Sequence, residues 1–346
     1  MHLLDAPQIP TLDWLQQHGL PAYRGRQIRR WLFQSRRETF AQMTDLPAEV
    51  RQQLEADFQI WTTRVVAHAG GEDGTEKLLL ELSDGQRIEC VLLRDGQRRT
   101  ICVSSQVGCG MGCVFCASGL DGVVRNLTAG EMVEQMLRLM RLLPAEQRIS
   151  HLVMMGMGEP LANLNQVLPA LAVAESAEGL GLSARRITIS TVGLPAAIRK
   201  LAAARCRYNL AVSLHAADDT LRDQLVPVNR QIGLAPIMAA ADEYFARSGR
   251  RLTFEYVLLA GVNDRPEDAR RLAGWLRGRP ALLNLIPYNP VAGLAYRTPS
   301  STARQRFTHI LQRAGVNVKV RHRKGSRIDA ACGQLRRIRG PQAVAV

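Results

Sequence analysis

The chain has 346 residues, 46% of them hydrophobic and 22% charged, enough apolar material for one large core with a smaller accessory domain beside it. No apolar run approaches the roughly 18 residues of a membrane span, and the N-terminus, Met1-His2-Leu3-Leu4-Asp5-Ala6-Pro7, lacks the basic start and apolar core of a signal peptide, so a cytoplasmic protein without membrane contact is expected. The formal charge of +14 points to a polyanionic partner, most simply nucleic acid, although an Arg-, Ala-, Leu- and Gly-rich chain is also what a GC-rich genome encodes.

Residues 11–58 carry helical periodicity: Leu12, Leu15, then Ile28, Trp31, Leu32, then Leu46, Val50, Leu54 fall on i, i+3, i+4 spacings. In the middle, Tyr23-Arg24-Gly25-Arg26-Gln27-Ile28-Arg29-Arg30-Trp31 sets arginines beside aromatics. That suits an RNA-facing helix and equally a solvated basic face over a core tryptophan. From about residue 63 the period changes to two. Leu78, Leu80 and Leu82 alternate, Asp84-Gly85 makes a turn, and Ile88 to Leu93 returns as a partner strand, giving a β-hairpin. Glu89 on that strand projects opposite to Ile88 and Cys90, and its face depends on which side is buried.

After Thr100, strands predicted at 100–105, 149–155, 186–192, 207–214, 251–259 and 281–288 alternate with helices at 128–143, 163–178, 194–205, 233–247, 265–278 and 301–314. Six βα units imply a parallel sheet with right-handed crossovers, either an open sheet or a barrel. Both place their sites at the carboxyl edge, where Gly156-Met157-Gly158-Glu159, Ser190-Thr191, Ser213-Leu214-His215, Asn263-Asp264 and Asn289 gather. A last strand near 316–322 leads into an irregular tail bearing Cys332. The expected division is therefore 1–62, a helical accessory domain; 63–98, a hairpin linker; 99–315, the α/β domain; and 316–346, a C-terminal strand and tail.

Seven cysteines, at 90, 102, 109, 113, 116, 206 and 332, are too few and too clustered for a disulfide scaffold and favour metal or redox chemistry. Cys109-Gly-Met-Gly-Cys113-Val-Phe-Cys116 is a C-x3-C-x2-C loop. Three thiolates so spaced can hold three irons of a [4Fe–4S] cubane and leave the fourth open. An open iron can chelate the amino and carboxylate groups of S-adenosylmethionine (SAM) and reduce its sulfonium, releasing a 5′-deoxyadenosyl radical. Phe115 would pack near the cofactor. A zinc site would need a fourth ligand, and His151 or Cys206 are the nearest later candidates. In Gly156-Met-Gly-Glu159-Pro160 the glycines permit close approach and the carboxylate can accept an ammonium, as the amino end of SAM requires, though Gly-Glu-Pro is also an ordinary loop. From the residues alone Cys102 reads more readily as a small buried hydrophobe than as a reactive thiol, Cys332 is undecided, and Cys90 and Cys206 read as core.

Cys102-Val-Ser-Ser-Gln-Val-Gly-Cys109, the triad, Arg125-Asn-Leu127, Met155-Gly-Met-Gly-Glu-Pro160, Ser213-Leu-His215, Asn284-Leu-Ile-Pro-Tyr-Asn289 and Ile328-Asp-Ala-Ala-Cys332-Gly resemble the RlmN/Cfr family of radical SAM RNA methyltransferases over nearly the whole chain. The likeness is stronger to the RlmN branch, which methylates C2 of an adenosine in 23S rRNA and in some tRNAs, than to the Cfr branch, which acts on C8. It implies an α/β fold built on a partial (β/α)6 radical SAM barrel, with the helical domain contacting RNA. It also implies one [4Fe–4S] cluster on Cys109, Cys113 and Cys116, two SAM consumed per methylation, an electron donor such as flavodoxin or ferredoxin, and a monomer. The tRNA target would be the adenosine 3′ of the anticodon. By the same resemblance, Cys332 takes a methyl group from SAM and carries it as S-methylcysteine, Glu89 accepts the ring proton, and Cys102 resolves the protein–RNA adduct through a transient disulfide with Cys332. Gly158, Glu159, Ser190, Ser213, Leu214, His215 and Asn289 match SAM-contacting positions, with His215 on the cofactor and not on a metal. Cys90 beside Glu89 departs from the pattern, and a surface strand glutamate is the competing reading of Glu89. A radical SAM peptide maturase or activase would share the triad but leave Cys102, Cys332 and the charge unexplained. A non-enzymatic RNA-binding or iron-sensing module would need neither the Gly-Glu-Pro loop nor the strand-end polar clusters.

Overall fold

The computed structural model describes residues 1–5, 12–321 and 323–336. Thr11 at the start of the expected helical segment, His322 at the end of the expected last strand, and the tail beyond Arg336 lie outside the described residues.

Three short helices, α1 (Leu12–Gln17), α2 (Tyr23–Arg29) and α3 (Ala48–Asp57), precede the first strand. Leu15, Ile28, Leu32, Leu46, Val50 and Leu54 are buried as their spacing requires, whereas Leu12 is exposed and Trp31 only partly covered. The basic segment spends part of its charge internally. The Arg30 guanidinium and the Trp31 indole both bond the Asp45 carboxylate, and Arg24 reaches the Asp45 carbonyl at 3.3 Å while lying over the exposed Tyr23 ring at 4.9 Å.

The expected hairpin is the inner part of a larger antiparallel unit. Strands β1 (Arg64–Gly70), β2 (Glu76–Glu81), β3 (Arg87–Asp95) and β4 (Arg98–Cys102) form a meander, with Asp84-Gly85 turning β2 into β3. Next comes a small two-stranded sheet, β5 (Gln106–Gly108) with β6 (Val123–Asn126), which frames the cysteine loop. The chain then alternates as α4 (Ala129–Met140), β7 (His151–Met154), α5 (Leu164–Glu175), β8 (Ile187–Thr191), α6 (Pro195–Ala203), β9 (Asn209–Ser213), α7 (Asp219–Leu225), α8 (Leu234–Ser248), β10 (Leu252–Leu258), α9 (Pro266–Leu276), β11 (Ala281–Pro287), α10 (Ser301–Arg313) and β12 (Val318–Val320). Among the described residues one sheet runs β1-β2-β3-β4-β7-β8-β9-β10-β11-β12. It is parallel from β4 onward and does not close into a barrel. No described helix is long and apolar enough to cross a membrane.

Alternation along the strands separates two faces. Leu152, Met154, Ile187, Ile189, Leu210, Val212, Phe254, Tyr256, Leu283 and Leu285 point to the helices and are fully buried, with Tyr256 meeting Phe307 of α10. The other face is polar. Register aligns Lys77, Val91, Cys102 and Val153 in one row, and Ser213, Glu255, Asn284 and Lys319 in another. Glu89, two residues from Val91, shares the polar face, so the side that sequence alone left open is the one bearing Cys102.

Candidate active site

The cysteine loop leaves β5 at the carboxyl edge of the sheet, and Gly108 is where it turns. Gly108 has φ +77°, and a Cβ there would fall 2.1 Å from the Gly122 carbonyl oxygen, so only glycine permits the close crossing. The three thiols lie close enough to act on one another electrostatically, and Glu159 lies close to Cys109 and Cys113. Burial holds all three thiols above their ordinary pKa, Cys109 at about 12. Main-chain amides oppose this, those of Met111 and Gly158 directed at Cys109 and those of Ser118 and Gly119 at Cys116. Amide donors on cysteine sulfurs suit thiolates that carry iron. Neither later candidate for a fourth zinc ligand stands with the three thiols. His151 stands on β7 beside Arg98 and Arg186, and Cys206 lies near Glu175 and Tyr208. Cys206 is only partly buried, at the margin of the core expected to cover it, whereas Cys90 is fully buried.

The Gly-Glu-Pro loop is strapped to the segment after β4. Met157 O accepts from the amides of Ser105 and Gln106, and Gln106 Oε1 accepts the Glu159 amide at 2.8 Å. Gly158 has φ +102°, and a side chain there would strike the Gln106 main chain. Glu159 is buried, and its carboxylate accepts the amides of Leu161 at 3.0 Å and Val192 at 2.7 Å. Burial still pushes it up to about 7. An arriving ammonium would hold such a group ionised and use its remaining lone pairs.

The other expected cofactor positions sit on the neighbouring strand ends. Ser190 and Ser213 are half-buried on the polar face. The Leu214 side chain is in the core, its amide donates to the Glu255 carbonyl, and its own carbonyl accepts from Arg222. His215 is held at φ +62° with its ring edge-on to Phe115 at 4.8 Å, and its Nδ1 accepts the Val257 amide at 3.1 Å. Burial drives His215 down to about 3, so it stays neutral. Unfolding would let the ring take a proton below pH 6.5, which the folded state refuses, so its contribution to stability is full above that pH and declines as pH falls toward 3. His215→Asn removes this dependence. Between pH 6.5 and 5 wild type should therefore lose about 2 kcal/mol of stability relative to the variant, measured by urea unfolding at each pH. Asn289 donates to the Cys332 carbonyl at 3.1 Å, and its Oδ1 is buried with no partner among the described residues.

The segment carrying Cys332 folds back over this edge. The Ala117 amide donates to the Gly333 carbonyl at 2.8 Å and the Ser118 hydroxyl to the Leu335 carbonyl, which joins the segment to the cysteine loop. Cys332 is open to solvent, yet surrounding protein still raises its pKa. Cys102 is buried and held as a thiol at about 12 by desolvation, with Cys332 the next contributor, so the two thiols are neighbours. Both are free thiols here. Glu89 is no surface glutamate: it is 1% exposed, its Oε1 lies 2.7 Å from the Lys77 ammonium, and its Oε2 accepts the Arg336 amide at 2.9 Å.

Sequence reasoning missed several supports of this edge. Arg222, fully buried, donates to the carbonyls of Val192, Ser213 and Leu214 and to Asn229, tying the ends of β8 and β9 together; on an Asp-Thr-Leu-Arg-Asp helix start it reads as a surface residue. Glu255, pushed up to about 7 by burial, accepts Asn284 Nδ2 at 2.8 Å on the row shared with Ser213. Glu255 interrupts an apolar strand, a signal that was available.

Comparison with known proteins agrees with this geometry. Residues 1–60 match the ribosomal RNA large subunit methyltransferase N-terminal domain, and residues 103–273 the radical SAM superfamily. A relative from Rhodopirellula baltica, named as an RlmN dual-specificity RNA methyltransferase, is 65% identical over 98% of this chain and 91% of its own length. One of the same name from Synechocystis is 45% identical over 95% of this chain and 93% of its own. The crystal structure of a radical SAM methyltransferase from Sphaerobacter thermophilus superposes with a TM-score of 0.94 at 42% identity, covering 97% of this chain and 99% of that one. The chain therefore belongs to the RlmN family of radical SAM RNA methyltransferases, which work with a [4Fe–4S] cluster and SAM.

Proposed function

We propose that the protein methylates C2 of an adenosine in 23S rRNA and in tRNA, the latter 3′ of the anticodon, and that Cys332 carries the methyl group. The observation that supports this most is the gathering of Cys332, Cys102 and Glu89 against the cysteine loop by one folded-back segment. Cys109, Cys113 and Cys116 hold the cluster, and Glu159, Gly158, Ser190, Ser213, Leu214, His215 and Asn289 bind SAM. When bound, cluster and SAM supply a 5′-deoxyadenosyl radical that abstracts hydrogen.

The chain's own residues do the rest. An sp² ring carbon is too weak a nucleophile to take a methyl group from a sulfonium, so the carbon is first stored on the Cys332 sulfur, whose thiol proton is lost as the S–CH3 bond forms. After hydrogen abstraction the S-methylene carbon bonds the adenine ring, joining protein to RNA. Glu89 takes the ring proton, and the adduct's unpaired electron leaves to a one-electron acceptor such as the oxidised electron donor, as the ring regains aromaticity. Cys102 attacks the Cys332 sulfur, the S–C bond breaks toward the RNA, the freed methylene carbon takes the proton that Cys102 gives up and becomes the methyl group, and the resulting disulfide is reduced by an external thiol. Burial keeps Cys102 protonated at rest, so its proton leaves only on attack. The positive charge and the helical domain serve a polyanionic substrate from which the base must be unstacked.

Nucleoside mass spectrometry of RNA incubated with reconstituted enzyme, SAM and a reductant tests the position. 2-Methyladenosine is expected. 8-Methyladenosine would reassign the protein to C8 chemistry, and SAM cleavage with no methylated adenine would overturn the proposal in favour of a peptide maturase.

A further inference from the structure

Lysine is scarce in this protein: of 45 basic residues, only Lys77, Lys200, Lys319 and Lys324 are lysines. Lys77 lies on β2 opposite Val91, and Val91 in turn lies opposite Cys102, so Lys77 shares the polar face with Glu89 and Cys102 and stands one diagonal step from Glu89. Its side chain is 14% exposed. The ammonium lies 2.7 Å from Glu89 Oε1 and also donates to the main-chain carbonyl of Asp329 at 3.1 Å. Asp329 precedes Cys332 in the folded-back segment. Arg336, which follows it, donates its amide to the other Glu89 oxygen at 2.9 Å. The segment is thus fastened on both sides of Cys332 to one buried ion pair.

We propose that Lys77 is a positioning residue of the methyl transfer, its ammonium keeping Glu89 ionised and fastening the segment that carries Cys332 to the same point. The proposal rests on the reading of Glu89 as proton acceptor. Burial holds Glu89 above the ordinary carboxylate range, and three groups act on it across the contact. Lys77 from β2 and the Arg336 amide favour the charged form, while Asp329 from the folded-back segment opposes it. Cys90 adjoins it on β3, and the Glu89 amide is taken up by the Met157 sulfur. Among the described residues, Lys77 is the cationic side chain that acts on Glu89, Arg336 contributing its main-chain amide, and without the ammonium the carboxyl takes up a proton more readily. A compact ammonium with three donors serves Glu89 and the Asp329 carbonyl from one point.

The test is the pH profile of RNA methylation by the cluster-loaded enzyme in wild type, Lys77→Met, Lys77→Gln, Lys77→Arg and Glu89→Gln. S-methylation of Cys332 is read in the same samples by peptide mass spectrometry, which reports folding and methyl loading independently. Both neutral variants should load Cys332 yet show the acidic limb of methylation displaced upward by about one pH unit or more, with Lys77→Arg keeping the wild-type limb. A loaded neutral variant with an unmoved limb would overturn the role of Lys77. A Glu89→Gln protein as active as wild type would instead remove the reading of Glu89 on which the proposal stands.

Discussion

Cys113→Ala is expected to reduce RNA methylation to background and to abolish the visible absorption of the iron–sulfur cluster, while the protein stays folded. On the proposed assignment each of the three thiols holds one iron, so loss of one leaves two protein ligands for four irons and no defined open site. The fold does not depend on the loop in the same way: Cys113 lies in a small apolar cluster with Phe115, Val192, Val226 and Tyr288, and alanine is accepted there at modest cost. The same result should follow at Cys109 and Cys116. The check is anaerobic reconstitution with absorbance and iron counting, alongside circular dichroism for the fold. A Cys113→Ala protein that binds a full cluster and methylates RNA would remove the assignment of the triad.

Arg222→Met should cost about 4 kcal/mol of stability. The guanidinium is fully buried, with its Nε on Leu214 O at 3.0 Å and its Nη2 on Val192 O at 2.6 Å and Ser213 O at 2.9 Å. It also bonds Asn229, which is held in turn by Asp219 and Asp223. Methionine fills most of the volume but satisfies none of these oxygens, and water has little access to them. Burial lowers the arginine to about 10, with Cys113, Asp219 and Asp223 opposing, so it remains charged at neutral pH. Because Val192, Ser213 and Leu214 lie at the strand ends that carry the proposed SAM positions, SAM affinity should fall with stability. Urea unfolding reads the first effect and SAM titration the second. A loss below about 1 kcal/mol would show that these strand ends hold without the clamp.

The six βα units were legible because each is a short apolar run followed by a longer helical stretch, some of these opened by a side-chain cap, and the observed elements fall within a few residues of the expected ones. Thr128 with Glu131 and Asp218 with Leu221 are side-chain caps of this kind. β1 was not resolved as a strand because it lies at the edge of the sheet and little of it is buried, leaving a weak alternation in Arg64-Val-Val-Ala-His-Ala-Gly70. β5 and β6 are too short for a period to show. The triad could be read from spacing alone. The partnership of Cys102 with Cys332 could not, since only the folded-back segment brings them together, and resemblance supplied it. The face of Glu89 likewise needed the segment that covers it, and the Lys77 clamp exists only once β2, β3 and that segment are assembled.

The most direct test of Cys332 as methyl carrier uses SAM with a fully deuterated methyl group. A methyl group stored on Cys332 gives up one deuterium to the 5′-deoxyadenosyl radical before it reaches the ring. The account therefore predicts an RNA methyl group with two deuteriums and 5′-deoxyadenosine with the third, and neither product from Cys332→Ala. An RNA methyl group that retains all three deuteriums would show direct transfer from SAM and contradict it.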